Sequence, residues 1–516
     1  MRLFTTSILL ASLLLPCAAS AAPAVNTAAA QKTAVVRTAP PQVTGKAPNQ
    51  TMPKIVERKL DNGIPVYIAV RKKVPLAHVI LVFPGAGSKN DPAGKYGLAD
   101  FAVSCLDEGA GDRDSLAFAE AVDLLGASIS AEAGWDNAAV SASCMSERLP
   151  ETLDLFTDMV TQPTFPQKEL DRLKKEALDG FVNARISPGS LASVAFNRFI
   201  FGEDSRYGTL RVGTPQQVAS FSRDDVVGYY SDNFRPDQAF ICIGGDVDPE
   251  KTIQLLNKRL GKWSPCCCGE GEEEAAQAAK PLPAPKYEQR YIPADMPGRT
   301  PMADRIFIVD RPGAQQAVIR VGCLGVTVKD PDRIAIQAMN TLLGGSFASR
   351  LNDNLRERNG YTYGARSGFD FRLDRGAFAA STNVQTDKTI PAVREMLKEI
   401  DRMHQPVPED ELQRTLNYMA YTFPSNFETG SYVTSLMTRL IAYDYPKDYV
   451  DTYVSNVLNL TPKQIKKAAD RTLDVNQMQV IIVGDAKALE PQLKEAGWRA
   501  QVLTVDEIMG PKITAK

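Results

Sequence analysis

The chain repeats itself at an offset of about 240 residues, and this internal repeat limits its possible folds more than any other feature. The apolar run Val79–Phe83 aligns with Val318–Gly322, and Phe240–Asp246 aligns with Val480–Asp485. The amphipathic helices predicted between these runs repeat as well. Because such self-similarity is the signature of a duplicated structural unit, we expect two homologous domains within the 516 residues.

Turn and helix patterns indicate the class of each domain. Asp61–Gly63 and Asp374–Gly376 are typical hairpin turns, and several amphipathic helices accompany them. The sequence therefore predicts an α+β fold with two homologous domains, each a mostly antiparallel sheet with helices packed on one face. We expect the domains to span residues 51–263 and 304–511, joined by a linker at 264–303.

The predicted linker has a composition that cannot bury a core. It contains the acidic run Glu270–Glu274 and a proline-rich stretch at 280–285. Cys266, Cys267 and Cys268 also lie here, without zinc-type spacing and without a neighbouring histidine. We therefore expect no metal site at these cysteines, whereas a disulfide within the triplet or to a second chain stays open.

The N-terminus has the pattern of a secretory signal. Arg2 precedes an apolar run from Ser7 to Leu15, and Ala19-Ser20-Ala21 fits the small-x-small cleavage pattern. The sequence therefore predicts a cleavable signal peptide at 1–21, a flexible lead-in at 22–50 and an exported, periplasmic protein.

The charge balance restricts the class of partner. Lys plus Arg number 59 and Asp plus Glu number 61, which gives a net charge of −2. A nearly neutral chain does not favour nucleic acid or an anionic membrane surface as its main partner. After the signal, no apolar stretch is long enough for a membrane helix, so we expect no membrane span.

The segment that follows Leu343 has the pattern of a functional site. Gly344 and Gly345 precede Ser346, a fair helix N-cap, and Phe347 begins an i, i+4, i+8 spacing that predicts one apolar helix face. That face continues with two leucines, Leu351 and Leu355. Asn359-Gly360 predicts the end of the helix. We expect a strand to follow, with Tyr361 and Tyr363 on the same strand face.

Arg356 and Tyr363 are the candidate chemical groups of this segment. A guanidinium and a phenol are two strong donors, which together can hold an oxyanion or a peptide carbonyl. The structural alternative is a capped helix followed by a hairpin strand, with Arg356 solvated and Tyr363 half-buried. The residues alone leave both readings open.

Over roughly residues 54 to 510 the chain resembles the pitrilysin/insulinase family of zinc metallopeptidases, in its bacterial and mitochondrial-processing-peptidase-like branch. Leu343–Ser367 is closely similar to the inactive C-terminal half of that family. Gly97–Phe101 corresponds to the helix that binds the metal in the active half. The resemblance implies a two-domain peptidase scaffold.

The zinc motif of that family is degenerate here. Active members carry His-x-x-Glu-His on a helix, with a distant Glu as third ligand. The matching positions are Asp100, Val103, Ser104 and, by family spacing, Gly180. A Cys105 thiolate is disfavoured as a substitute zinc ligand, because Asp100 and Cys105 are five residues apart and so do not share a helix face. We expect no metal or cofactor in this chain and no activity from the chain alone.

The Arg and Tyr pair of that family, seven residues apart, is retained in this sequence as Arg356 and Tyr363. The resemblance implies that these residues act in trans, binding substrate and transition state for a catalytic subunit that carries His-x-x-Glu-His and zinc. Gly344 and Gly345 resemble the family's glycine-rich substrate-contacting loop, although close packing of two small residues explains them equally. The predicted function is thus the non-catalytic subunit of a heterodimeric peptidase; the alternative is a non-hydrolytic binding or scaffold protein.

Overall fold

The computed structural model describes residues 50–264, called the first half below, and residues 305–511, the second half. The predicted signal peptide at 1–21, nearly all of the lead-in at 22–50, and the predicted linker beyond its first residue lie outside the described residues. Cys266, Cys267 and Cys268 belong to that excluded part. In the two halves, no helix is both long enough and apolar enough to cross a membrane.

The first half is built on one six-stranded sheet. The strands of this half, in chain order, are β1 (Ile55–Lys59), β2 (Pro65–Val70), β3 (Leu76–Pro84), β4 (Gly109–Ala110), β5 (Arg113–Asp114), β6 (Ser128–Ala133), β7 (Asn137–Met145) and β8 (Phe240–Gly245). The sheet order is β1-β2-β8-β3-β7-β6, while β4 and β5 form a separate pair. Only β2 and β8 run parallel; the other neighbours in this sheet are antiparallel.

The second half repeats this arrangement except at one edge. Its strands are β9 (Ile306–Asp310), β10 (Gln316–Leu324), β11 (Ala365–Phe369), β12 (Ala377–Gln385), β13 (Gln479–Gly484) and β14 (Gln501–Leu503). They pair in the order β11-β12-β10-β13-β9-β14. At the edge that differs, β14 runs parallel to β9, while β1 of the first half runs antiparallel to β2. Strand β10 pairs with β12 and β13 as β3 pairs with β7 and β8, at the offset read from the sequence. The predicted α+β class with two homologous sheets is confirmed.

Helices surround both sheets. The helices of the first half are α1 (Leu98–Val103), α2 (Ser115–Leu124), α3 (Leu149–Thr161), α4 (Gln167–Ile186), α5 (Pro188–Phe201), α6 (Pro215–Ser220), α7 (Arg223–Asn233) and α8 (Pro249–Leu260). The helices of the second half are α9 (Arg333–Asn340), α10 (Arg350–Asn352), α11 (Thr389–Asp401), α12 (Glu409–Thr422), α13 (Gly430–Ala442), α14 (Tyr449–Leu458), α15 (Pro462–Thr472), α16 (Ala486–Ala496) and α17 (Val505–Met509). Two π-helical turns, Thr341–Gly345 and Asp353–Arg358, flank the short α10.

Local sequence explains several of these boundaries. The hairpin between β1 and β2 turns at Gly63, whose φ of +90° lies in the left-handed region that glycine tolerates. Buried and half-buried residues alternate along β7, as expected for a strand with one face on the core. In contrast, every residue of β8 is buried. Strand β8 must therefore be covered on both faces.

The two halves cover each other by exchanging helices. From the first half, α5 packs on β10 and β13 of the second sheet, with Leu191, Ala195 and Phe196 fully buried. From the second half, α13 packs on β3 and β8 of the first sheet. A side chain at Gly244 in β8 would come within 2.2 Å of the Thr434 hydroxyl in α13. The exchange therefore requires close backbone approach and joins both cores into one unit.

Candidate functional site

A buried carboxylate fixes the helix that corresponds to the family's metal helix. Asp91 accepts hydrogen bonds from the backbone N–H of Gly97 (2.7 Å) and of Ala99 (2.9 Å), at the start of α1. The Arg206 guanidinium pairs with the same carboxylate at 2.9 Å. Satisfying free N–H groups at a helix start stabilises that end. Sequence reasoning missed Asp91, although its place six residues before Gly97 was visible.

Asp100, the first degenerate metal position, is neutralised by an arginine. The Arg211 guanidinium donates to the Asp100 carboxylate and to the Ala133 carbonyl at the end of β6. Burial raises the pKa of the Asp100 carboxyl above its ordinary value, and the neighbouring Arg211 opposes that rise. Asp100 is the one acidic residue among the four predicted positions, and its carboxylate is already paired with the Arg211 guanidinium.

Val103, Ser104 and Gly180 offer no replacement for the missing ligands. Val103 is 2% exposed and packs in the apolar core of the first half. The Ser104 hydroxyl donates to the Phe101 carbonyl at 2.7 Å. A Cβ at Gly180 would meet no atom of residues 50–264 or 305–511 within 4 Å, and glycine itself supplies no side-chain donor atom.

The neighbouring groups do not build a metal site either. The Cys105 thiol donates to the Phe101 carbonyl at 3.1 Å, and burial raises its pKa to about 12, so it stays protonated. Arg172 of α4 forms ion pairs with Glu108 and Glu169, which consumes nearby carboxylates. Across residues 50–264 and 305–511, no cluster of three or more His, Cys, Asp or Glu could hold a metal ion. The residues present do not fit zinc.

In the second half, the helix of the predicted site starts later than the sequence suggested. Leu351 and Leu355 are fully buried as predicted, but Phe347 is 72% exposed, and the cap residue of α10 is Ser349 rather than Ser346. The Asn352 side chain donates to the Phe347 carbonyl at 2.7 Å, a side-chain contact in place of a first helical turn. The predicted helical face from Phe347 onward is therefore wrong at its first residue.

The displaced Phe347 supports Arg356 instead. The guanidinium carbon of Arg356 lies 4.5 Å from the centre of the Phe347 ring, a cation–π distance. The Arg356 side chain is about one third exposed, and its charged partner is the adjacent Glu357 at 3.4 Å. An exposed aromatic ring thus holds an accessible guanidinium. The sequence showed both residues but not this contact.

The predicted strand face at Tyr361 and Tyr363 is also wrong, because β11 begins only at Ala365. The Thr362 hydroxyl accepts from the Gly364 N–H at 3.1 Å, which closes a local turn. Tyr363 is 97% exposed, whereas Tyr361 packs half-buried against the core of the second half. The Tyr363 phenol therefore stands in solvent, and the half-buried position of the structural alternative is not observed.

The glycine pair divides between two roles. Gly344 is buried, and a side chain there would come within 2.4 Å of the Ser367 hydroxyl, so the close-packing explanation fits this residue. Gly345 is exposed, and a Cβ added there would lie 3.0 Å from the Asn340 side chain. The end of the helix at Asn359-Gly360 is as predicted, with φ of +63° at Gly360.

The candidate site thus has two separate parts. Asp100, Val103, Ser104 and Gly180 lie on α1 and α4 of the first half or at their ends, while the Arg and Tyr pair lies in the second half. No hydrogen bond, ion pair or ring contact within the described ranges joins the two parts. Within one chain, the guanidinium and phenol therefore remain available to another molecule.

Comparisons with known proteins give a consistent family. Residues 67–185 match the insulinase (peptidase family M16) model, and residues 220–419 match the peptidase M16 inactive domain. An uncharacterized zinc protease of Streptomyces coelicolor is 22% identical over 75% of this chain and 81% of its own length. A "non-peptidase homolog" of Helicobacter pylori is 21% identical over 82% of this chain and 92% of its own length.

Solved structures share the fold. A peptidase M16 inactive domain from Pseudomonas fluorescens superposes with a TM-score of 0.72 at 22% identity, covering 84% of this chain and 98% of that one. A protease from Helicobacter pylori gives a TM-score of 0.72 at 18% identity, covering 84% and 100%. These structures show the shared fold. Together with the residues at the degenerate zinc positions, the two family-model matches identify the chain as a member of the insulinase family, peptidase family M16, and as an inactive homologue within it.

Proposed function

We propose that this chain is the non-catalytic subunit of a heterodimeric zinc metallopeptidase, to which it contributes Arg356 and Tyr363 in trans. The partner would carry His-x-x-Glu-His and the zinc ion. The observation that carries the proposal is the 97% exposure of Tyr363, whose phenol has no packing role in the described chain. An exposed phenol, seven residues along the chain from a guanidinium that Phe347 supports, is available to contact a second molecule.

The two donors would act on the substrate rather than on the metal. In a tetrahedral intermediate, charge develops on the former carbonyl oxygen of the peptide. The Tyr363 hydroxyl would donate to that oxygen, and the Arg356 guanidinium, steadied by Phe347 at 4.5 Å, would hold the peptide backbone. The exposed Gly345 would lie beside the bound peptide. Export to the periplasm, predicted from the N-terminal sequence, belongs to the same proposal.

The test uses Tyr363→Phe in the assembled complex. Removing one preorganised oxyanion donor typically lowers the rate by about a hundredfold or more. We therefore expect kcat of peptide cleavage to fall by about that factor, while co-purification of the two subunits is unchanged, since the hydroxyl is fully solvated. Tyr361→Phe is the matched control, because that ring packs against the core. Normal turnover of the Tyr363→Phe complex would refute the in-trans role.

A non-hydrolytic scaffold is the second candidate. The pairing of Asp100 with Arg211 favours it, because a degenerate metal position held by an ion pair has no part in hydrolysis. The name of the Helicobacter pylori relative, a non-peptidase homologue, agrees with this reading. Co-purification with the product of a neighbouring reading frame separates the two. A partner with His-x-x-Glu-His and zinc-dependent cleavage supports the subunit, whereas an inactive assembly supports the scaffold.

A further inference from the structure

A concave site lies next to Gly345 in the second half. It is a cavity of about 600 Å³ between α9, β11, α12 and the segment from Phe423 to Tyr453, and it reaches Gly345. That volume suits a drug-sized ligand or two to three peptide residues. We call it the aromatic groove, after its walls. They are formed by Phe369, Phe371, Phe423, Tyr443, Tyr445 and Tyr453.

The aromatic groove is cationic. Among the residues that the structure describes, its lining includes Arg333 and Arg439 and contains neither Asp nor Glu. The Arg333 guanidinium carbon lies 4.7 Å from the centre of the Tyr445 ring and 5.1 Å from that of Phe371. Neither arginine forms an ion pair with a carboxylate of the described chain, whereas Arg350 nearby binds Glu411 at 2.8 Å. Two guanidiniums in an aromatic lining, one of them stacked over rings, suit a ligand that carries negative charge.

Two buried polar atoms beside the groove lack partners. The Gln337 side-chain oxygen and the Arg333 Nε have no hydrogen bond within the described residues, although both atoms are shielded from solvent. Such atoms are rare in native proteins and call for a ligand or a bound water. The oxygen requires a donor, such as a peptide N–H, and the Nε requires an acceptor, such as a carboxylate oxygen.

We propose that the aromatic groove binds the C-terminal end of a peptide whose last residue is aromatic. The two guanidiniums would receive the terminal carboxylate, the Phe and Tyr walls would receive the ring, and Gln337 would accept the peptide N–H. The free C-terminus is favoured because it is where one peptide residue carries both an aromatic ring and a carboxylate. An Asp or Glu side chain would place its charge on a different residue from the ring.

The proposal adds a substrate class to the site. Because the groove reaches Thr341 and Gly345, a peptide anchored there by its C-terminus would pass the exposed Gly345. That role rests on the proposed function. Binding itself does not, since every group named belongs to this chain alone.

The test measures binding of a labelled peptide ending in Phe to the full-length chain by fluorescence anisotropy. An amide-capped peptide of the same sequence, and an amidated peptide with internal Glu-Phe, are compared with the free acid. We expect the free acid to bind about tenfold more tightly than both, the usual size of one charge-assisted hydrogen bond. Equal affinity for the capped peptide, or for the internal acid, would overturn the assignment.

Arg439→Gln tests the groove itself. Arg439 is exposed, so its replacement should leave the fold intact while lowering the affinity for the free-acid peptide by about tenfold. Arg148→Gln, on an exposed arginine of the first half whose partner Glu151 is 4.0 Å away, is the charge-matched control and should bind normally. Equal affinities of the two variants would refute the groove.

Failure of this inference is distinguishable from failure of the proposed function. Tyr363→Phe should leave binding by the isolated chain unchanged and slow only the assembled complex. If Arg439→Gln loses binding while Tyr363→Phe keeps full turnover, the groove stands and the in-trans role falls. The reverse pattern leaves the in-trans role and removes the groove.

Discussion

Replacing Phe196 with alanine should destabilise both halves of the chain at once. Phe196 lies on the exchanged helix α5, is 2% exposed, and its ring tip is 2.7 Å from where a Cβ of Gly322 would stand. Neighbours cannot fill the space, because Gly322 has no side chain and β10 is held between β12 and β13. Phe→Ala at such sites typically costs about 3–5 kcal/mol, and because the neighbours cannot collapse into the cavity we expect about 4 kcal/mol here.

Unfolding in guanidinium chloride measures the loss in free energy of unfolding. Hydrogen exchange with mass spectrometry shows which strands are destabilised. Because α5 and α13 are exchanged, exchange should accelerate in β3 of the first half as well as in β10 of the second. Phe347→Ala, at a ring that is 72% exposed, is the matched control and should cost less than about 1 kcal/mol. A loss below about 1 kcal/mol for Phe196→Ala, or faster exchange in β10 alone, would refute the coupling.

Two further predictions concern titration. Burial raises the folded pKa of Asp100 above its unfolded value, so its contribution to stability is present at low pH and is lost as pH rises through the folded pKa. Asp100→Asn should therefore flatten the fall in unfolding free energy as pH rises above the ordinary carboxyl range, and an unchanged slope would contradict this. Burial raises the thiol pKa of Cys105, Cys242 and Cys323 to about 12, so iodoacetamide at neutral pH should label these positions only after unfolding, as peptide mass spectrometry would show.

Local patterns predicted most of the fold. The repeat placed β3 over β10 and β8 over β13, and the structure pairs them in the same way in each sheet. Such patterns succeed because strand alternation and turn chemistry act over a few residues. The helix end at Gly360 followed from the same kind of signal. The sequence also showed that the zinc ligands are absent, since ligand chemistry is a property of residue type.

The candidate site was predicted less well, and particular side chains explain why. The sequence favoured a helix from Ser346 and a strand from Tyr361. Asn352 holds the Phe347 carbonyl and Thr362 closes a turn, and both displace the expected structure. Hydrogen bonds from side chains to the backbone compete with helix and strand formation, and the spacing of apolar residues does not reveal them.

The sequence by itself determined the duplication, through its internal repeat, and the lack of a metal-binding motif, through residue type; its resemblance to the insulinase family implied the peptidase scaffold. Tertiary structure alone decided what stands in place of the metal-binding motif, because Arg211 reaches Asp100 from 111 residues away. It also decided that each sheet is covered by a helix of the other half, and that Arg333 and Arg439 line one acid-free groove. Contacts of this kind depend on the path of the whole chain, which brings together residues that no local pattern relates.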